Sequence, residues 1–165
     1  MQAKRGFTLV EILIVVVILG ILAAIVIPQF TQASTEAKLN SLCSNLQSLR
    51  SQIELYKCQH NDISPAPDGT DPETWVQMTE TTSIVGVASG TKVRDTGAGA
   101  VYIYGPYLER VPENPFNGLN TIEVVTDKAS ISADDSAGWA YISGTGEIYA
   151  NNSGTTATGT AFSDL

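Results

Sequence analysis

The chain has 165 residues, room for one ordinary domain beside an anchoring segment, and this excludes a second catalytic domain. Its hydrophobic content of 43% conceals two materials, because much of it is concentrated before Pro28. Beyond Ile27 seven basic residues face sixteen acidic ones, and a formal charge of −9 makes that part a poor partner for nucleic acid.

Phe7 to Ile27 is a run of 21 residues with a single charge, Glu11. At 1.5 Å per residue such a helix covers a hydrocarbon core of about 30 Å. The run is longer than a secretory signal's apolar region and has no polar stretch before Ala23 and Ala24, so it reads as an anchor. Lys4 and Arg5 precede it and no basic residue follows until Lys38, which predicts a cytoplasmic N-terminus and an exported C-terminal part.

A carboxylate in a membrane helix needs a reason. Glu11 either snorkels to the headgroups or meets a cation. Cleavage after Gly6 would give Phe7 an α-ammonium four residues from Glu11, on the same helical face, and the pair could form within one chain or between neighbouring subunits. The stretch Lys4-Arg5-Gly6-Phe7-Thr8-Leu9-Val10-Glu11 resembles the processing and assembly motif of type IV pilins and of the related pseudopilins of type II secretion. The resemblance implies that a prepilin peptidase removes residues 1–6 and methylates Phe7, and that Glu11 is neutralised by another subunit's terminus. It also implies a helix-distorting role for Pro28.

Past Pro28, residues 39, 42, 46, 49, 53 and 56 (Leu39, Leu42, Leu46, Leu49, Ile53, Tyr56) form one apolar stripe at helical spacing. One long, bent helix is predicted from about Phe7 to about Gln59, with 7–27 crossing the membrane and 28–60 amphipathic. Cys43 and Cys58 on such a helix lie about 22 Å apart, whereas a disulfide needs Cα atoms within about 7 Å. They are therefore read as small, partly buried thiols, with bridging between subunits as the lesser reading.

Asn61-Asp62 and Pro65-Ala66-Pro67-Asp68-Gly69 end the helix and open the head, 61–150. Asp71-Pro72 has the form of an N-cap and first helical residue, predicting a turn or two through Trp75 and Met78. Residues 83–100 are Gly- and Ser-punctuated, predicting a loop of little internal order that offers a surface to partners. Val101 to Tyr104 is β-rich, and 105–118, with three prolines, is predicted extended up to an Asn117-Gly118 turn. This tyrosine-, proline- and asparagine-containing segment resembles the one preceding the sheet in major pseudopilins. Thr121–Thr126, Trp139–Ser143 and Glu147–Ala150 read as strands, the last two a hairpin through Gly144-Thr145-Gly146. The predicted class is α+β, pilin-like: the second half of the helix packs on a small antiparallel sheet, and a Gly/Thr-rich tail, 151–165, is poorly ordered unless Phe162 docks.

No catalytic arrangement stands out. His60 reads as a solvated or capping side chain, without a nucleophile beside it. Asp127, Ser130, Ser132, Asp134 and Asp135 form an oxygen-rich patch whose spacing fits a solvated turn better than an EF-hand. The resemblance implies calcium near the C-terminus, as in major pseudopilins, with Asp127, Asp134 and Asp135 as the candidate ligands, although the family's glycine-rich aspartate pattern is not recognisable. Asn151-Asn152-Ser153 matches a glycosylation sequon.

The reading that follows is a structural subunit of a type II secretion pseudopilus. It would be anchored in the bacterial inner membrane with its head in the periplasm, then assembled with copies of itself, the assembly platform and minor pseudopilins. The alternative is a type IV pilin of a surface fibre, whose C-terminal cysteine loop is commonly closed by two cysteines; here both precede residue 60. A membrane-tethered enzyme or solute-binding domain would require an organised polar pocket.

Overall fold

The computed structural model describes residues 7–65, 75–156 and 158–165. Gly6, the Asp71-Pro72 cap and most of the Pro65–Gly69 breaker lie outside the described residues. The chain divides into two compact units after Lys38.

Helix α1 spans Leu9–Gln59 and continues through Pro28. In the first unit its apolar side chains are all exposed, from Val26 at 43% to Leu9 at 82%. This is the one helix long and apolar enough to cross a membrane among the described residues, with a mean hydropathy of 3.3 in its most apolar window.

In the second unit, 39–165, the predicted stripe is the buried face. Leu42, Leu46, Leu49, Ile53 and Tyr56 are at most 1% exposed, and Leu39 is partly buried at the edge. They join one core with Trp139, Tyr141, Ile148 and Ala150 of the sheet, and with Trp75, Met78, Val111 and Phe162. Each fully buried aliphatic side chain contributes about 1.5–3 kcal/mol relative to exposure, so the stripe dominates the helix's attachment within this unit. Helix α2, Val76–Thr79, is a single turn beside buried Trp75 and Met78.

The sheet has three strands in the order β1-β2-β3: Ile122–Val125, Trp139–Ile142 and Glu147–Ala150. The expectation of an antiparallel sheet needs correction at one pairing. β2 and β3 form the expected antiparallel hairpin, with Trp139 opposite Ala150, but β1 runs parallel to β2, with Ile122 beside Trp139. A parallel neighbour needs a crossover of a dozen or more residues, and 126–138, with its one-turn 3₁₀ helix Lys128–Ser130, supplies it. Gly138 lets the crossover enter β2, since a Cβ there would lie 2.1 Å from the Leu119 carbonyl oxygen.

Two further expectations change. Residues 83–100 are organised around Thr82, which bridges both Ala88 and Tyr104, while Asp95 accepts hydrogen bonds from the Val101 and Tyr102 N–H groups. The tail 151–165 is docked rather than loose. Phe162 is 5% exposed, its N–H donates to the Gly154 carbonyl, and Lys128 pairs with Asp164 at 3.0 Å. Gly154 has no side chain because the Phe162 ring occupies that space, 2.4 Å from where a Cβ would sit.

Candidate functional site

The start of α1 is built by Thr8. Its carbonyl accepts the first helical bond, from the Ile12 N–H, which makes Thr8 the N-cap and Glu11 the third residue of the helix. The Glu11 N–H donates to Thr8 Oγ1 at 3.2 Å, and the Thr8 N–H and hydroxyl donate to Glu11 Oε2 at 3.1 and 3.0 Å. This is a capping box, in which two otherwise unpaired donors at the helix start are satisfied reciprocally. The sequence carries its signature, Thr8-x-x-Glu11 ahead of an apolar run, and the reading from composition and resemblance missed it. Phe7, the predicted new terminus, is 82% exposed immediately before this cap. The box therefore fixes a carboxylate at the head of the apolar helix, with Oε1 free of hydrogen bonds among the described residues.

In the head, the largest departure concerns His60, which is fully buried rather than solvated. Its ring stacks on Tyr56 with centroids 3.8 Å apart and planes at 9°, and the rings of Tyr104 and Tyr107 flank it. Nδ1 lies 2.8 Å from the Tyr56 carbonyl and Nε2 2.9 Å from Thr82 Oγ1. A carbonyl only accepts, so Nδ1 carries the proton and, in the neutral ring, Nε2 accepts from the Thr82 hydroxyl. His60 is thus a bolt between the end of α1 and the 81–104 region. Burial pushes the neighbouring Tyr56 and Tyr107 phenols up to about 12.

Cys43 and Cys58 are both free thiols, so the expectation that they do not pair within the chain holds, but they are exposed rather than partly buried. Each sits off the buried stripe of α1. Asn151 of the sequon is fully buried and its amide nitrogen donates to Glu123 Oε2 at 2.7 Å, so the folded head offers no acceptor there.

The candidate calcium ligands are separated by their hydrogen bonds. Asp127 caps the 3₁₀ helix through the Ser130 N–H and hydroxyl, both at 2.9 Å. Asp134 accepts from the Ser136 N–H, and Asp135 accepts from Asn152 and Ser153. Ser136 holds the Asp134 carboxyl below the usual range, and Ser153 with Asn152 does the same for Asp135. Among the described residues no group of three His, Cys, Asp or Glu side chains is placed to hold a metal ion.

A cleft of about 340 Å³ between α1 and the β2–β3 turn is lined by Arg50, Glu54 and Glu147. Arg50 is committed to structure there, since its two terminal nitrogens donate to the main-chain oxygens of Leu165 and Ile148. Elsewhere in the head, exposed Ile84, Val85, Val87, Val101 and Ile103 line a shallow groove.

An apolar helix with a capped carboxylate at its start, joined to an α+β head, matches a family model described as the prokaryotic N-terminal methylation motif over residues 1–27. The chain belongs to the type IV pilin-like family. Similarity extends from the motif into the head. This pilin-like chain is 28% identical over 117 residues to a type II secretion system core protein G of Klebsiella michiganensis, covering 71% of each chain. A fimbrial protein of Pseudomonas aeruginosa is 33% identical over 102 residues, 61% of this chain and 66% of that one. A core protein G of Pseudomonas aeruginosa is 44% identical over a shorter stretch of 56 residues, 34% of this chain and 39% of that one. No solved structure matches the chain.

Proposed function

We propose that this chain is a structural subunit of a type II secretion pseudopilus, held in the inner membrane by the first part of α1 before it joins a filament that helps drive protein export. The observation that carries the reading is similarity to core protein G reaching beyond the shared N-terminal motif, over 117 residues. The motif alone would suit any member of the family. The N-terminus lies in the cytoplasm and the acidic head in the periplasm, as the placement of Lys4 and Arg5 directs. Prepilin peptidase cuts after Gly6, and Phe7 becomes the methylated first residue. The filament's own copies, the assembly platform and minor pseudopilins are its partners.

A surface pilin is the second reading, favoured by the fimbrial relative's 33% identity. The head argues against it, because both cysteines lie on α1 and none closes a C-terminal loop. Imaging cells that overproduce the protein, with and without the secretion genes, decides between them. Fibres that depend on those genes support the pseudopilus, whereas long fibres that form equally in cells lacking them support the pilin. Mass spectrometry of the mature chain should find methylated Phe7 first, and Gly6→Ala should leave most of the protein uncut. A terminus near Ala24 would refute the processing step.

A further inference from the structure

The buried asparagines around the crossover point to a device of their own. Asn114, Asn151 and Asn152 are at most 2% exposed, and they come from two separate parts of the chain. Asn114 donates to the Gly138 carbonyl at 2.7 Å and to Asn152 Oδ1. Asn117 donates to the Ala137 carbonyl at 2.8 Å. Asn151 donates to Glu123 Oε2 at 2.7 Å, Asn152 to Asp135 Oδ1 at 2.8 Å, and Ser153 Oγ to Asp135 Oδ2 at 2.5 Å.

The orientation of each amide is fixed from both ends. The oxygens of Asn114, Asn117 and Asn151 accept from the N–H groups of Phe116, Leu119 and Asp134, while their nitrogens face oxygens that only accept. Asn152 is fixed in the same way, between the Asn114 amide and the Asp135 carboxylate. Turning any of the four would set N–H against N–H and oxygen against oxygen. The network is therefore satisfied and specific, the condition under which buried polar groups rigidify a fold.

We propose that these asparagines form a clamp which orders loop 131–138 in place of a calcium ion, so that the head is indifferent to calcium. The family resemblance implies a cation in this part of the chain, and the donor set does not fit one. Calcium needs about six to eight oxygens converging on one point. Here Asp135, Glu123 and the carbonyls of residues 137 and 138 converge on N–H and O–H hydrogens, which already supply the positive ends that a cation would supply. Both oxygens of Asp135 are occupied, and Asp127 and Asp134 are spent on turns of their own. The consequence for the subunit is that its loop is set at folding, whatever the calcium level outside the membrane. This holds whether the filament is a pseudopilus or a surface fibre.

The test uses the full chain in detergent micelles, in EDTA and in millimolar calcium, with magnesium as the control for ionic strength. An ion that binds only the folded state raises the unfolding midpoint, so the clamp predicts equal midpoints and equal amide exchange over 131–138 in all three. Ser153→Ala removes one exposed donor from the clamp. It should speed exchange in that loop about two- to tenfold, as loss of one hydrogen bond implies, with the strand amides unchanged. Asn152→Ala should do so more strongly, and Ser153→Ala carries the test if Asn152→Ala fails to fold. A saturable rise in midpoint with calcium and not magnesium would overturn the proposal. So would unchanged loop exchange in Ser153→Ala.

Discussion

His60 shows how one residue can tie a helix to a loop. Replacing it with alanine strips the stack from Tyr56 and leaves the Tyr56 carbonyl and the Thr82 hydroxyl buried without their partner. A lost aromatic stack contributes about 0.5–1.5 kcal/mol and a buried unpaired group about 1–3 kcal/mol, so His60→Ala should destabilise the head by about 2–4 kcal/mol in denaturant titration. Thr82→Val keeps the Tyr56 stack and the Nδ1 bond of His60 and should cost less. Equal stability of His60→Ala and the parent would mean that the cluster is wet and the bolt idle. Nothing local announces this role, because the residue sits in the polar string Gln59-His60-Asn61-Asp62 and its partner lies 22 positions away.

Among the elements, the tail and the crossover loop carry the clearest expectations. Phe162 sits in the core against Phe116, with ring centroids 4.3 Å apart. Phe162→Ala should therefore cost about 3 kcal/mol, at the low end for a buried aromatic. Protease resistance of 151–165 should fall with it, and a tail equally resistant in both proteins would contradict the docking. The loop carboxylates set an acid limit. Asp134 and Asp135 are held below the ordinary aspartate range by Ser136 and by Ser153 with Asn152. Their folded pKa values are depressed, so their contribution is fully present above the unfolded value of about 3.9 and disappears as pH falls through the lower folded value. Amide exchange in 131–138, corrected for its intrinsic pH dependence, should stay flat from neutral pH to about pH 4 and rise only below it. Loosening that begins near pH 6 would assign control to another group. The helix stripe and the β2–β3 hairpin were legible because their signals are local: a 3-4 spacing of apolar residues, and a Gly-Thr-Gly turn between β-rich segments. The parallel β1 was not, since period-2 patterning says which face is buried and nothing about direction. The docked tail was hidden by its composition, in which one phenylalanine outweighs a surrounding run of Gly, Thr and Ala.

For the whole molecule the question is what a carboxylate at the head of a membrane helix accomplishes, and the capping box divides it into two parts. One part is local: Glu11 satisfies the Thr8 N–H and starts the helix. The other is the assembly role that the proposed function gives it, in which its negative charge would meet the Phe7 ammonium of a neighbouring copy in lipid, where an unpaired charge costs about 2.5–3.5 kcal/mol at mid-membrane on insertion scales and less near an end. Three substitutions separate them. Thr8→Ala removes the cap and keeps the charge, costing the helix start about 0.5–2 kcal/mol. Glu11→Gln keeps an acceptor suited to the third position of a capping box and removes the charge. Glu11→Ala removes both. On the proposed function all three should insert and lose residues 1–6, because none adds charge to the apolar run or alters Gly6-Phe7. Filament yield should then follow charge rather than capping: near the parent level for Thr8→Ala, and lost in both Glu11 variants, since an amide cannot neutralise an ammonium. The measurement is sheared-filament yield, together with crosslinking between cysteines engineered near adjacent helix starts, in a background where Cys43 and Cys58 are replaced by serine because both are exposed thiols. Filaments from Glu11→Gln equal to the parent, with Glu11→Ala and Thr8→Ala both defective, would assign Glu11 to the capping of its own helix and leave subunit registration to other contacts.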